Sequence, residues 1–154
     1  MLRALTEARE QCLGEGDPLL EALDKLNRVA PTGGILFIIA DLNRDPSVLE
    51  APLGRLRQRH EVVLLPVQDP ADWAIPDLGW MVFGDATGQR IEVNTANSEG
   101  RRRYHEAWQR NRSALENLAV RLGLFLIPVA TDQEIHQVLA AGLRRRARHP
   151  GGRR

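Results

Sequence analysis

The chain is poor in the residues that staple small domains and rich in ordinary globular ones. Among its 154 residues there is one cysteine, Cys12. A lone thiol excludes an internal disulfide and a thiolate zinc site, and with no His or Cys near it in sequence Cys12 reads as a small apolar residue. Aromatics make up 5% of the chain, three Trp, one Tyr and three Phe. No segment approaches the roughly 18 to 20 apolar residues that span a bilayer. The opening stretch MLRALTEARE is too charged for a signal peptide. These absences set the expectation of a cytoplasmic chain without a membrane segment. What is present, 43% hydrophobic and 27% charged residues, fits one soluble domain that buries roughly 70% of its unfolded surface.

Lysine is the scarcest charge: Lys25 stands alone against arginine. The net charge of +1 hides an asymmetry. Residues 1–100 carry 9 cations against 16 acids and residues 101–154 carry 12 against 4, so the halves differ in sign.

Hydrophobic spacing gives the elements. Leu2, Leu5, Ala8, Cys12 and Leu13 recur at helical intervals before Gly14 and Gly16. Asp17-Pro18 opens a second helix, because an Asp side chain caps free N–H groups and proline fits the first turn. Ile35 to Ala40 and Glu61 to Val67 are apolar runs, closed by Asp41 and Asp69, that suit strands covered on both faces. Asp45-Pro46 starts a helix that Pro52 is expected to interrupt. Trp80–Phe83 and Arg90–Val93 flank Gly84-Asp85-Ala86-Thr87-Gly88 as a hairpin. From Ser98 a long helix aligns Tyr104, Trp108, Leu115, Leu118 and Leu122, and stops at Gly123. Leu124 to Val129 is the third buried run. Thr131 and Glu134 have capping-box spacing before a last helix, and Arg144 to Arg154 reads as a solvated tail. The order predicts an α/β fold: a mostly parallel sheet flanked by helices, in one domain over 1–146, with a disordered basic tail at 147–154.

In such sheets ligands sit outside the carboxyl ends of the strands. Asp41, Asp45, Asp69, Asp72 and Asp132 all follow strand ends, where hard carboxylate oxygens suit a divalent cation. The same acids have structural roles available. Asp45 precedes Pro46 as an N-cap, Asp69-Pro70 makes a turn, and Asp132 falls where a helix dipole favours an acid. Asp41, explained by neither cap nor turn, is the best metal candidate. His60, His105, His136 and His149 share no ligand spacing and read as surface or helix-flank residues. The aromatics read as core or hairpin packing. Arg101, Arg102 and Arg103 near a helix start are locally costly, which suits a partner contact or a solvated helix face.

These residues carry a resemblance. Leu36 to Leu42, Arg59 to Val62, Asp69-Pro70 through Pro76 and Gly79, Gly84 to Gly88 with Val93-Asn94-Thr95, then Arg103-Tyr104, Arg112 and Thr131-Asp132 resemble the C-terminal half of the bacterial family called domain of unknown function 58. The likeness covers nearly all of residues 15–146. It implies a von Willebrand factor A-like sheet (Rossmann-type) with a metal-ion-dependent adhesion site at the carboxyl rim. It also implies work beside a MoxR-type AAA+ ATPase in complex assembly, and longer members that are membrane-anchored. The adhesion site's Asp-x-Ser-x-Ser loop does not occur here. Asp17 stands where the site's Thr is usual, and Asp41 matches its closing Asp after Ala40 rather than Ser. The implied chain is therefore truncated at its N-terminal side, with a degenerate site at Asp41 and Asp17, weak magnesium binding at most and no other cofactor.

Three functions follow as expectations. The first is a non-catalytic protein-interaction module whose partner contacts include Asp45, Asp69, Asp132, Arg102 and Arg103. The second is a magnesium-dependent phosphoryl-transfer enzyme or nuclease, which needs Asp17, Asp41, Asp69 and Asp132 to converge on a metal. The third is a nucleic-acid-binding module using the basic C-terminal third, expected to act without sequence selectivity. The uncharged strand 35–40 is further expected to offer an open edge for self-association.

Overall fold

The computed structural model describes residues 17–84 and 89–148. The expected helix over 2–13, the hairpin turn at 85–88 and the last residues, 149–154, lie outside the described residues. The elements are α1 (Pro18–Val29), β1 (Ile35–Ala40), α2 (Ser47–Arg59), β2 (Glu61–Gln68), α3 (Pro70–Trp73), β3 (Trp80–Gly84), β4 (Arg90–Asn94), α4 (Ser98–Leu122), β5 (Phe125–Leu126), β6 (Val129–Ala130) and α5 (Ile135–Arg148). The α/β architecture with a mostly parallel sheet is the one the sequence predicts.

β2 is the centre of the sheet, with β1 parallel on one side and β5 and β6 parallel on the other. Val63 pairs with Phe125 and Val67 with Val129. Both segments thus keep one register, and the third run is a single strand interrupted at Pro128, which has no N–H to give the ladder. Ile127 still donates to Leu64 O at 2.8 Å.

The two faces are covered unequally. Val62 and Leu64 of β2 and Ile38 of β1 pack with Leu23 of α1, Leu49, Leu53 and Leu56 of α2, and Leu115 and Leu118 of α4. On the opposite face Val63, Leu65, Ile127 and Val129 take Val138 and Leu139 of α5. β2 is therefore buried on both faces. β1 is not, contrary to expectation: Ile35, Phe37 and Ile39, which alternate with its core-facing residues, are exposed. No described helix reaches that part of the second face.

Local sequence explains most boundaries. Asp17 caps α1, its carboxylate accepting from Leu19 N at 3.0 Å. Gly123 ends α4 in the left-handed region at φ 64°, which costs a glycine nothing. Three boundaries differ from expectation. Pro52 does not interrupt α2: it is buried within the helix, and its carbonyl accepts from Asn27 Nδ2 at 3.3 Å. Burial of Leu49, Leu53 and Leu56 outweighs the lost N–H. The capping box expected at Thr131 is absent, because the Thr131 hydroxyl donates to Asp69 Oδ2 at 3.0 Å and the helix opens at Ile135. α5 then runs through Arg148, so residues 144–148 are helical rather than tail.

The hairpin β3–β4 forms as predicted, Trp80 opposite Asn94 and Phe83 opposite Ile91. It stands largely clear of the body, leaving Trp80 72% exposed, with Val82 and Ile91 also exposed. Buried Thr95 ties down its base, accepting from Leu78 N at 3.0 Å and donating to Gly79 O at 2.8 Å.

Each long helix runs back against its strands, so first turns gather at the carboxyl rim and last turns at the opposite end. First turns carry Glu21, Glu50 and Glu99; last turns carry Arg28, Arg57, Arg59, Arg121, Arg145, Arg146 and Arg148. Helix dipoles favour that sorting.

Candidate functional site at the carboxyl rim

A cleft opens where β1 and β2 end, between the strand tips and α4. Asp41 and Asn43 come from the segment after β1, Gln68 from the end of β2, Asp72 from α3, and Trp108 and Arg112 from one stripe of α4. A second groove continues from Gln68, Trp108 and Arg112 toward Trp73, Asp132 and Gln133 beside α5. This is where α/β sheets bind ligands.

Aromatic packing sets the wall. The Trp73 and Trp108 rings lie 5.4 Å apart at 45°, and the Arg112 guanidinium sits 5.5 Å above the Trp108 ring, within cation–π range. Arg112 donates to the Gln68 side-chain oxygen and, at 3.1 Å, to Glu116. His105 is locked between neutral groups: its Nδ1 lies 2.6 Å from the Trp73 carbonyl and its Nε2 2.8 Å from Gln109 Nε2. A carbonyl can only accept, so Nδ1 carries the proton and Nε2 accepts from the amide. His105 therefore serves as a strut. Tyr104 lies one turn earlier on the same stripe, and its hydroxyl's pKa is raised above 10 by burial first, then by the Asp72 and Asp41 charges.

Asp17, Asp41, Asp45, Asp69 and Asp72 are each engaged by the fold. Asp17 caps α1 and is gripped by the Arg44 guanidinium, and that hydrogen bond holds its carboxyl below the usual range, with the α1 N–H groups adding to the effect. Asp41 has the turn role that sequence did not reveal: it accepts from Asn43 N at 2.8 Å. Asp45 accepts from Ser47 N at 2.9 Å, which lowers its pKa; the N-cap position itself belongs to Pro46. Asp69 and Asp72 form a capping box around α3, with Asp69 accepting from Ala71 N at 2.9 Å and Asp72 from Asp69 N at 2.8 Å. Asp132 lines the second groove, apart from Asp41 and Asp17. Among the described residues no three His, Cys, Asp or Glu side chains come together as metal ligands. The donor set does not fit a magnesium shell, which wants several oxygens in octahedral array, because Asp17 already has a cation in Arg44.

The arginine cluster divides in function. Arg102 pairs with Glu106 at 2.8 Å and Arg103 with Glu99, both one turn apart on exposed α4. Arg101 instead reaches back to Asp77 at 3.3 Å and to the Thr95 carbonyl, bracing the hairpin. The site residues that sequence reasoning did not single out are Asn43, Gln68 and Asn111, which also lines the cleft, and Arg112 as an arginine on a tryptophan. The available signal was the α4 spacing 104, 108, 111/112, 115, which continues the core stripe beyond the core to the rim. Two further expectations change. Phe37 and Tyr104 are exposed rather than core residues, and Trp80, on the hairpin, is exposed as well. His60 is not at the surface: it is buried at the end of α2 with neither ring nitrogen hydrogen-bonded. His136 is exposed beside Glu134, as expected.

The chain is similar to several mycobacterial proteins. It is 28% identical over 134 residues to the uncharacterized protein MAV169 of Mycobacterium avium, covering 87% of this chain and 79% of that one. At the same identity and coverage of this chain it matches the uncharacterized proteins Mb1516 of Mycobacterium bovis and Rv1480 of Mycobacterium tuberculosis, spanning 42% of their lengths. No solved structure matches significantly. None of the described helices is long and apolar enough to cross a membrane. The model of the family described as "Protein of unknown function DUF58" matches residues 1–114. That match begins ahead of residue 15 and ends before Thr131-Asp132. With most of its length matched, the chain belongs to the DUF58 family.

Proposed function

We propose that the chain is a non-catalytic protein-interaction module of von Willebrand A-like type, corresponding to the C-terminal half of the family domain, with a degenerate metal-ion-dependent adhesion site. Its partner would be a MoxR-type AAA+ ATPase or the complex such an ATPase assembles. The observation that carries this reading is the Asp17–Arg44 pair. The position that resembles an adhesion-site ligand is filled by a carboxylate that an internal guanidinium already neutralises. Asp41, Asp45, Asp69 and Asp72 hold turns and caps. The surface that remains for a partner is the cleft of Asp41, Gln68, Asp72, Trp108 and Arg112, bordered by Asp132. Aromatic and arginine side chains of this kind are the common anchors of protein interfaces. Asp45, Asp69, Arg102 and Arg103 would lie at its margin.

Titration calorimetry tests the rim. Magnesium should give no heat below about millimolar, since one free carboxylate cannot replace an oxygen shell. A purified MoxR-type ATPase should bind equally with and without magnesium, and Trp108→Ala with Arg112→Ala should abolish binding. Micromolar magnesium affinity lost in Asp41→Ala would overturn the degenerate site. Magnesium-dependent hydrolysis of a phosphodiester substrate lost in the same variant would replace the binding module with the enzyme reading.

A further inference from the structure

The end of the sheet opposite the rim has no part in that reading, yet it gathers arginines from the last turns of several helices. Last turns of α1, α2, α4 and α5 lie there and bring Arg28, Arg57, Arg59, Arg121, Arg146 and Arg148, with no acid in any of those last turns. Arg121 reaches back along α2 to Glu50 at 3.0 Å, and Arg146 pairs with Glu61, which opens β2 at this end. Arg57 and Arg59 spend hydrogen bonds on neutral oxygens, the Gly123 carbonyl at 3.1 Å and the Asn27 carbonyl at 3.0 Å. Those bonds fix the guanidinium groups while leaving their charge in place. Arg144, one turn earlier on α5, donates to its own helix at Ala140 O, and the sequence continues past α5 with Arg153 and Arg154.

Exposed apolar side chains accompany the arginines. Val29 closes α1 at 66% exposure, Val120 precedes Arg121 at 80%, and Ile35 opens β1 at 47%. The exposed aromatics are elsewhere, with Trp80 and Phe83 on the hairpin, Tyr104 at the rim and Phe37 midway along β1. Stacking on aromatics is the sequence-tolerant grip that single-stranded nucleic acids use, and this end offers none among the described residues. Fixed arginines interspersed with aliphatic side chains suit a headgroup layer, where guanidinium forks meet phosphates and aliphatic groups enter the acyl boundary.

We propose that the basic end is a docking face for an anionic lipid bilayer, with the arginines of the helix C-termini on lipid phosphates and Val29 and Val120 against the headgroup boundary. The rim, at the other end of the strands, then faces away from the membrane toward its partner. Docking of this kind is peripheral and needs no spanning helix.

Co-sedimentation of the purified full chain with vesicles tests it. Vesicles of one-third phosphatidylglycerol in phosphatidylcholine should bind the chain, and pure phosphatidylcholine should not. Binding should vanish as salt rises to about 0.5 M, where exposed charges are screened. Arg28→Gln with Arg144→Gln and Arg148→Gln should weaken vesicle binding ten- to a hundredfold, given roughly tenfold or less per arginine near the surface, with the thermal melt unchanged. Val29→Ser with Val120→Ser should weaken vesicle binding further but leave affinity for a duplex DNA probe unaltered. Equal binding to both vesicle types, or an unchanged triple variant, would overturn the proposal. Tighter binding to the DNA probe than to the anionic vesicles, lost in the triple variant, would assign the face to nucleic acid instead. Magnesium and ATPase binding at the rim are independent of every arm.

Discussion

Gly142 is where a single methyl group tests the packing of the second sheet face. A Cβ built at this buried position of α5 would lie 2.7, 2.8 and 2.9 Å from Ile127 Cδ1, Cγ2 and Cγ1. Ile127 cannot retreat easily. It is fully buried, β-branched, hydrogen-bonded through its N–H to Leu64 O, and followed by Pro128. In an exposed helix Gly→Ala gains about 1 kcal/mol from propensity, whereas overpacking a tight core costs about 1–3 kcal/mol. With three contacts below any ordinary separation, the steric cost wins. Gly142→Ala should destabilise by about 1–2 kcal/mol net of propensity, a fall in melting temperature of roughly 2–8 °C for a chain of this size. Ile127→Ala, which removes all three contacting atoms, should cost about 2–5 kcal/mol in the parent but less in the Gly142→Ala background. The assay is urea unfolding of the four chains of that double-mutant cycle. Additive effects, or a Gly142→Ala chain that gains the propensity increment, would show that α5 does not sit this closely on Ile127 and would refute the reasoning.

Three other outcomes follow. Tyr104 is the sole tyrosine, so phenolate absorbance reports it alone: it should titrate above 10, and Asp41→Asn with Asp72→Asn should lower that value only in part because burial is the larger cause. The neutral hydroxyl is favoured in the fold, so its contribution to stability is intact below pH 10 and lost as pH rises through the folded value; a Tyr104 that titrates at or below 10 would contradict the rim geometry. Asp17→Ala should cost about 1 kcal/mol through the lost cap, while Asp17→Asn keeps the cap and loses only the Arg44 pair. Because the Asp17 carboxyl is lowered in the fold, its contribution is present above the ordinary carboxylate value and lost as pH falls below it, so the difference between parent and Asp17→Asn in chemical unfolding should vanish in acid; a difference that persists there would remove the pair. The apolar face of β1 exposes Ile35, Phe37 and Ile39, together roughly 300 Å², the size of patch that monomers tolerate and well short of a stable interface. Edge-to-edge association through β1 should therefore be weak and reversible, seen by light scattering only at high concentration and abolished by Phe37→Lys, which alters an exposed side chain. A Phe37→Lys chain that associates as the parent does would exclude this strand.

Sequence by itself determined the elements whose causes are local. Asp17-Pro18, Gly123 and the uninterrupted runs at 35–40 and 61–67 fix their helix and strand ends through caps, left-handed backbone and β-branched stretches, and those features act within a few residues. What lies between elements was decided by tertiary structure. Burial of three leucines carried α2 through Pro52, and the Thr131 hydroxyl went to Asp69, 62 residues away, a partner that no capping pattern can reveal. Composition showed acids after strand ends. Only the folded rim showed Asp17 held by Arg44 and Asp41 spent on Asn43, and only α4 lying across the strand tips brought the one-turn pair Trp108 and Arg112 beside Gln68. The polarity of the molecule belongs to both levels: helix dipoles select an acid or an arginine at each helix end locally, but antiparallel return of every long helix to a parallel sheet is what stacks those choices into one basic end and one acidic rim.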